Sequence, residues 1–223
     1  MSDREPLLLS WSGGKDCAMA LLALRDDPTV EVTGLLTTVT DGYERVSMHG
    51  VRRTLLAAQA AAVGLPVQTV HLRPASSNDA YEAAMGAAMA AARERGVRRV
   101  AFGDLFLADV RAYREANLAA AGMRACFPLW GRETAELMAD AFDLGIRATV
   151  VCVDTEQLDP AFLGRELDEA FLADLPSGVD PCGENGEFHT FVHDGPGFAA
   201  PVAVRLGERR EDGRFHFQDL LPA

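Results

Sequence analysis

Ser10-Trp11-Ser12-Gly13-Gly14-Lys15-Asp16-Cys17 follows the apolar run Leu7-Leu8-Leu9 and leads into the helical pattern Ala18-Met19-Ala20-Leu21-Leu22-Ala23-Leu24. A buried strand that turns through two glycines into a helix gathers free backbone N–H groups and the positive end of the helix dipole at one point, an anion site. Gly13 and Gly14 keep side chains out of the way of a close backbone approach. Ser12 adds a hydroxyl, and Asp16 in the first turn suits the dipole and can help place a magnesium ion. Lys15 is the only lysine in a chain whose 21 basic residues are otherwise arginine. Lysine is a compact point charge on a flexible stem, whereas arginine is a planar fork, so a tight phosphate loop has reason to prefer lysine. The constellation points to a polyphosphate. It matches neither the GxxxxGK[ST] loop nor the GxGxxG dinucleotide fingerprint.

Composition narrows the classes. At 223 residues the chain can bury a sizeable core, and 48% hydrophobic with 24% charged residues is ordinary for a globular protein. No apolar run approaches the roughly 20 residues of a membrane span, and Met1-Ser2-Asp3-Arg4-Glu5-Pro6 is unlike a signal peptide, so a cytoplasmic location without membrane contact is expected. A formal charge of -12 argues against a nucleic-acid groove. Cys17, Cys126, Cys152 and Cys182 show neither CxxC nor zinc-like spacing, which indicates no disulfide framework and no zinc site.

Short β-rich runs at 7–12, 30–39, 67–72, 99–104 and 148–154 alternate with helical patterns at 16–25, 51–63, 79–95, 111–121 and 134–144. This alternation is the mark of βαβ units and a mainly parallel sheet. Gly64, Gly96, Gly122 and Gly145 stand where helices end. The alanines of Ala83-Ala84-Met85-Gly86-Ala87-Ala88-Met89-Ala90 favour helix and let it lie close to a sheet. The tract 175–198 is rich in Gly and Pro, and 201–220 reads as a hairpin around the charged turn Gly207-Glu-Arg-Arg-Glu-Asp-Gly213. The expected fold class is α/β, with a nucleotide-binding domain at 1–123 and a smaller C-terminal α+β domain at 124–223.

Ser12-Gly13-Gly14-Lys15-Asp16 resembles the pyrophosphate-binding loop of the PP-loop ATP pyrophosphatases. Further along come Gly103-Asp104-Leu105 after a strand, Phe127-Pro-Leu-Trp-Gly-Arg-Glu-Thr134, Phe162-Leu-Gly-Arg-Glu-Leu-Asp-Glu-Ala-Phe-Leu172, and Asp180-Pro-Cys-Gly-Glu-Asn-Gly-Glu-Phe-His-Thr-Phe-Val-His-Asp-Gly-Pro196. In this order and spacing the chain resembles, over nearly its whole length, the diphthine-ammonia ligase family and its bacterial branch. The resemblance implies a Rossmann-like (HUP-type) mainly parallel five-stranded sheet, with the active site in the cleft beside an appended α+β domain. It implies cleavage of ATP to AMP and pyrophosphate, adenylation of a substrate carboxylate, and attack by ammonia to give the amide. The cofactors implied are ATP and Mg2+. The partners are ATP, ammonia and a carboxylate substrate, carried on a protein or free, with self-association left open.

By that resemblance Ser12, Gly13, Gly14, Lys15, Asp16 and Cys17 bind ATP, and Lys15 and Asp16 act in catalysis, with Asp16 also a magnesium ligand. Cys17 stands where the family has serine. A thiol is the weaker donor, and a helix N-terminus favours thiolate, which leaves a reactive cysteine as the alternative. His49, in Ser47-Met48-His49-Gly50, joins Gly103 and Asp104 on the nucleotide side. Glu184, Asn185, Glu187, His189 and Thr190 form the substrate segment, with Glu184 and Glu187 catalytic. If Asn185-Gly186 is a tight turn, the two glutamates emerge on adjacent limbs and converge. They would then orient ammonia, hold a trimethylammonium group or bind magnesium; an ordinary solvated hairpin tip is the competing reading. Arg52, Arg53, Arg111 and Arg114 read as solvated helix faces, with contact of one of them to a phosphate or the substrate carboxylate as the alternative.

The abundant alanine and arginine indicate a GC-rich, bacterial genome. Bacterial elongation factors are not known to carry diphthine, so the acid is then another one. Two other functions remain in view. One is a PP-loop enzyme acting on transfer RNA, disfavoured by the acidic charge. The other is an adenine-nucleotide-binding module without catalysis, which would need the lysine loop more than the carboxylate-rich segment.

Overall fold

The computed structural model describes residues 4–42, 45–46, 49–73 and 78–223. Ser47 and Met48 of the Ser-Met-His-Gly motif lie outside the described residues. In chain order the first part contains β1 (Glu5–Ser10), α1 (Lys15–Asp26), β2 (Val30–Thr40), β3 (Arg45–Val46), α2 (Arg53–Val63), β4 (Val67–Leu72), α3 (Asn78–Glu94), β5 (Arg99–Ala101), α4 (Ala108–Ala120) and β6 (Arg124–Cys126). The second contains α5 (Thr134–Asp143), β7 (Arg147–Asp154), α6 (Glu169–Asp174), β8 (Phe188–Asp194), β9 (Val204–Asp212) and β10 (Phe215–Pro222).

The five parallel strands of the first sheet lie side by side as β4-β2-β1-β5-β6, and the short β3 runs antiparallel on the end of β2. The strand order therefore reverses between β1 and β5, which is where open α/β sheets take ligands, beyond the carboxyl ends of the strands. Alternation along β1 divides the core. Leu7 and Leu9 join one buried cluster with α1 and α2, while Leu8 faces the other, with Leu36, Met89, Val100 and Leu118. The first cluster continues without a break into Val150, Val153, Phe188 and Phe191, so the second sheet packs against the α1 side of the first.

The second sheet is antiparallel, in the order β8-β7-β10-β9. The strand expected at 148–154 exists as β7 but belongs here. The fifth parallel strand is the three-residue β6, which carries the first sheet past position 123, and its brevity hid it from the pattern. The expected charged turn is also corrected. Residues 207–212 continue β9, and the reversal is the two-residue loop Gly213-Arg214 between the paired Asp212 and Phe215. A charged run on an edge strand faces solvent as readily as a turn does. The four helix-end glycines all take the left-handed conformation, with φ of 73, 86, 67 and 80 at Gly64, Gly96, Gly122 and Gly145. A salt-bridged clasp links the two parts: Asp219 of β10 accepts from Arg45 at 2.8 Å and from Arg52 at 2.6 Å. Among the described residues no helix is long and apolar enough to cross a membrane.

Candidate active site

The loop from Trp11 to Gly14 leaves the carboxyl end of β1 and opens α1 at Lys15. It is braced from behind by Gln59 of α2, which is fully buried. Gln59 accepts from the Trp11 indole N–H at 3.0 Å and donates to the carbonyls of Gly13, at 2.9 Å, and Val192. From the side it is braced by β8: the Val192 N–H donates to the Gly13 carbonyl at 2.9 Å, and the Lys15 N–H donates to the Thr190 hydroxyl at 3.1 Å. The glycines thus serve packing as much as ligand approach. Gly13 has φ of +86, and a Cβ there would meet Gln59 Oε1 at 2.6 Å; a Cβ on Gly14 would meet the Thr190 carbonyl at 3.3 Å.

Thr190 takes one of the N–H groups at the helix start and the Ser12 hydroxyl another, that of Gly14 at 3.4 Å. Helix geometry leaves the N–H groups of Asp16 and Cys17 without intrahelical partners. Both residues line a cleft of about 240 Å³, together with Ser12, Lys15, Gly103 and Asp104 from the first sheet and Glu184, His189 and Thr190 from the second part. Gly103 has its own reason to be glycine, since a Cβ would sit 2.9 Å from the Asp16 carbonyl and force β5 away from α1.

Lys15 is buried, with its ammonium 3.0 Å from the Asp16 carboxylate, hydrogen-bonded to the Cys182 carbonyl and 5.5 Å from the centre of the Phe188 ring. Burial works against its charge, but Asp16 and Glu184 outweigh it and hold the pKa above the ordinary lysine value. Glu184 accepts the Leu105 N–H at 2.7 Å. Its carboxyl is pushed up to about 7, chiefly by burial and further by the Asp16 and Asp104 charges, against the opposing pull of that hydrogen bond and of Lys15. A carboxyl poised near neutrality in a cleft is what proton transfer requires. Asp104 pairs with Arg114 at 2.7 Å, and the Arg114 guanidinium lies 4.3 Å from the Phe102 ring centre. His49 and His189 stack with ring centres 4.4 Å apart. Burial, then His49 and Lys15, holds His189 well below the ordinary histidine range, so it is neutral at physiological pH.

Four sequence expectations change here. The two glutamates diverge: Glu184 enters the cleft, whereas buried Glu187 accepts from the Asp180 N–H and the Asn185 amide, each at 3.0 Å, and pins the turn. Glu187 and Asn185 are not among the described residues lining the cleft. Cys17 is buried and donates to the Gly14 carbonyl at 3.0 Å, and burial raises its thiol to about 11, so desolvation overrides the helix dipole and the reactive-thiolate alternative falls. Arg114 is a wall of the cleft and not a solvated helix face. Arg111 is only half-exposed, ion-paired with Glu115 at 2.8 Å and stacked 4.6 Å from the Trp130 ring centre.

The sequence did not single out Gln59, and named Arg114 only as one of four arginines. Gln59 had a signal, since it is the polar residue in the apolar stripe Leu55, Leu56, Ala60, Val63 of α2. Nothing in the sequence separated Arg114 from Arg52, Arg53 and Arg111, because its helix face is mixed. Among the described residues no group of three or more His, Cys, Asp or Glu is arranged to hold a metal alone. The donors at the cleft (two helix-start N–H groups, a hydroxyl and a buried ammonium) suit the phosphates of a nucleotide. Asp16 and Asp104 suit a magnesium ion that shares those phosphates, the usual way this ion is held.

Comparison with known proteins bears on the same elements. The family model for the diphthamide synthase N-terminal domain matches residues 7–125, and that for the diphthamide synthase C-terminal domain matches residues 133–220. Diphthine–ammonia ligases of Bos taurus and Homo sapiens are each 36% identical over 85 residues, which make up 36% of this chain and 32% of those proteins. The Danio rerio ligase is 34% identical over 85 residues, 36% of this chain and 33% of that protein. The match therefore spans about a third of the length of these relatives. With one domain model covering more than half of the chain and the other following it in order, this chain belongs to the diphthamide synthase family, the family of the diphthine–ammonia ligases.

Proposed function

We propose that the chain is an ATP-dependent amide ligase. A carboxylate oxygen of the substrate attacks the α-phosphorus of ATP, pyrophosphate leaves, and the acyl adenylate forms. The lone pair of ammonia then attacks the acyl carbon and AMP leaves. Residues 1–126 would supply the ATP-binding domain and 127–223 the substrate-binding domain, a boundary moved from 123 because β6 pairs in the first sheet. The observation that carries the reading is the start of α1. Helix-start N–H groups, Ser12 and the single lysine meet at the switch point of the sheet, facing carboxylates contributed by both parts.

In this reading Lys15 stabilises negative charge growing on the leaving pyrophosphate, from a position already fixed by Asp16 and Cys182. The cleft brings three carboxyl groups, Asp16, Asp104 and Glu184, against the two cations Lys15 and Arg114. A polyphosphate entering it therefore needs further positive charge, which Mg2+ beside Asp16 supplies. Glu184, close to half-protonated at neutral pH, takes the proton that ammonium must lose before it can attack. Neutral His189, stacked on His49, closes the same wall. Gly13, Gly14, Gly103 and Thr190 shape the loop, and Glu187 and Asn185 hold the turn that presents Glu184. The relatives are named for joining ammonia to diphthine; for this chain we take the acid to be a different carboxylate, in keeping with a bacterial origin.

The test is incubation of the purified protein with Mg2+, ATP labelled at the α-phosphate, ammonium and pooled cell metabolites. Metabolite-dependent AMP and pyrophosphate are expected. ADP and phosphate as products would overturn the mechanism, and bound but uncleaved ATP in every pool would favour a nucleotide-binding module.

A further inference from the structure

A second cavity lies apart from the cleft, a furrow of about 350 Å³ on the opposite face of the first sheet, between α3 and α4. It lies between α3, which packs on β4, and α4, which packs on β6, at the two edges of the sheet. Leu36, Val100 and Phe102 form its floor, and Met85, Met89 and Leu118 its walls. Small residues widen it. Gly86 faces open space, and a Cβ there would meet nothing within 4 Å. Protein interiors are packed to near-crystal density, and a void of this size lies in the range of ligand sites, mostly apolar with a few placed polar groups. Its polar lining is Tyr81, Glu82, Arg93, Tyr113, Arg114 and Asn117, and Tyr81 stands within electrostatic reach of Arg114 and Tyr113.

Phe102 and Arg114 line both the furrow and the cleft. Arg114 spans the boundary, its guanidinium on the Phe102 ring and paired with Asp104 on the cleft side. A guanidinium offers a planar fork that a second carboxylate can share or take over. We propose that the furrow is a second small-molecule site, for a largely apolar acid whose carboxylate is read by Arg114, with naphthoate as the probe. Binding there draws Arg114 from Asp104 and leaves that carboxylate facing the cleft. Occupancy of the furrow is thereby coupled to nucleotide binding: metal-free ATP is repelled and a magnesium-bound nucleotide is favoured. The coupling, though not the site, rests on the ATP reading above.

The experiment titrates the full chain with 2-naphthoate and with its neutral counterpart 2-naphthol, followed by ligand fluorescence and calorimetry. Saturable one-to-one binding of 2-naphthoate is expected, and Gly86→Leu, which fills the furrow while improving the helix, should weaken both ligands at least tenfold without lowering Tm. Arg114→Gln should weaken 2-naphthoate at least tenfold and leave 2-naphthol within twofold. Absence of saturable binding to the wild type, or binding untouched by Gly86→Leu, would overturn the site. Equal losses of both ligands in Arg114→Gln would overturn the reading of the acid. If Gly86→Leu fails to fold, Ala90→Leu, which fills the furrow and does not line the cleft, takes its place. Saturating 2-naphthoate should weaken metal-free ATP at least threefold while Mg-ATP holds or tightens; equal effects on both would overturn the coupling. A protein that binds no ATP under any condition would refute the ATP reading and leave the naphthoate result standing.

Discussion

Two stretches carry the polar chemistry of this chain, the loop 12–17 and the segment 180–190, and they are built in opposite ways. In the loop nearly every side chain either faces the cleft or makes room for another backbone. Its shape is imposed from outside, by Gln59 of α2 and by Thr190 and Val192 of β8. The later segment holds itself: Asp180 accepts from the N–H groups of Cys182 and Glu184, and Glu187 accepts from Asp180 and Asn185. A self-braced turn can spare Glu184 and His189 for the cleft. A glycine loop cannot brace itself, having no side chains to do it with, and borrows rigidity from its neighbours.

Substitutions in the two stretches should therefore fail differently. The largest effect is expected from Lys15→Met, which keeps the apolar stem and deletes the charge. AMP formation should fall by roughly 100- to 1000-fold, the usual loss when one fixed electrostatic partner of a transition state is removed. A rate within threefold of wild type, measured as labelled AMP released, would remove Lys15 from the mechanism.

Glu184→Gln tests the cleft-facing member of the glutamate pair through pH. The folded carboxyl titrates near 7 against an ordinary 4.5. The folded state thus holds the proton more tightly, and wild-type stability falls as pH rises from the lower value through the upper one. The glutamine variant should lose less over this interval, by roughly 2–3 kcal/mol, seen as a flatter plot of denaturation midpoint against pH. Its amidation rate should also lose the rise near pH 7. A variant with an unchanged stability profile would mean that Glu184 is not desolvated.

Glu187→Gln should reverse that pattern. Its carboxylate accepts two hydrogen bonds in a buried turn, so about 1–3 kcal/mol of stability should be lost at all pH values where the carboxylate is charged. The KM for ATP should stay close to wild type in urea-free assays. A selective loss of turnover without loss of stability would return Glu187 to the site.

The smallest effect is expected from Thr190→Val. It removes the acceptor for the Lys15 N–H and should cost about 1 kcal/mol, read by equilibrium unfolding. ATP binding should weaken modestly as the loop loosens. If Thr190→Val and Gln59→Ala were additive within about 0.5 kcal/mol, the two braces would be independent, and the picture of a loop held jointly by α2 and β8 would be too strong.

Much of this was legible in the chain. Glycines after α2, α3, α4 and α5, and apolar runs with one period for strands and another for helices, located most elements of the first sheet. The β6 strand was not legible, because three residues are too few to show a period, and neither was the sheet to which β7 belongs, because pairing partners lie far away in sequence. At the site, Ser12 to Asp16 announced a helix start behind two glycines through residue types that only a few backbone geometries require. That Glu184 and Glu187 part company was hidden, since residues of the same type with the same local pattern differ only in which distant N–H group each one meets.

The sequence by itself determined where a helix begins behind two glycines, that one lysine is singled out there, and that a carboxylate-rich turn follows near the end. These are consequences of local backbone preference and side-chain chemistry. Only the tertiary structure decided that Thr190 and Gln59 hold the glycine loop, that burial keeps Cys17 a thiol and lifts Glu184 toward neutrality, and that Arg114 stands between a polar cleft and an apolar furrow. Desolvation and hydrogen-bond partnership depend on what folds against a residue, and the neighbours that settled these cases stand up to 175 positions away.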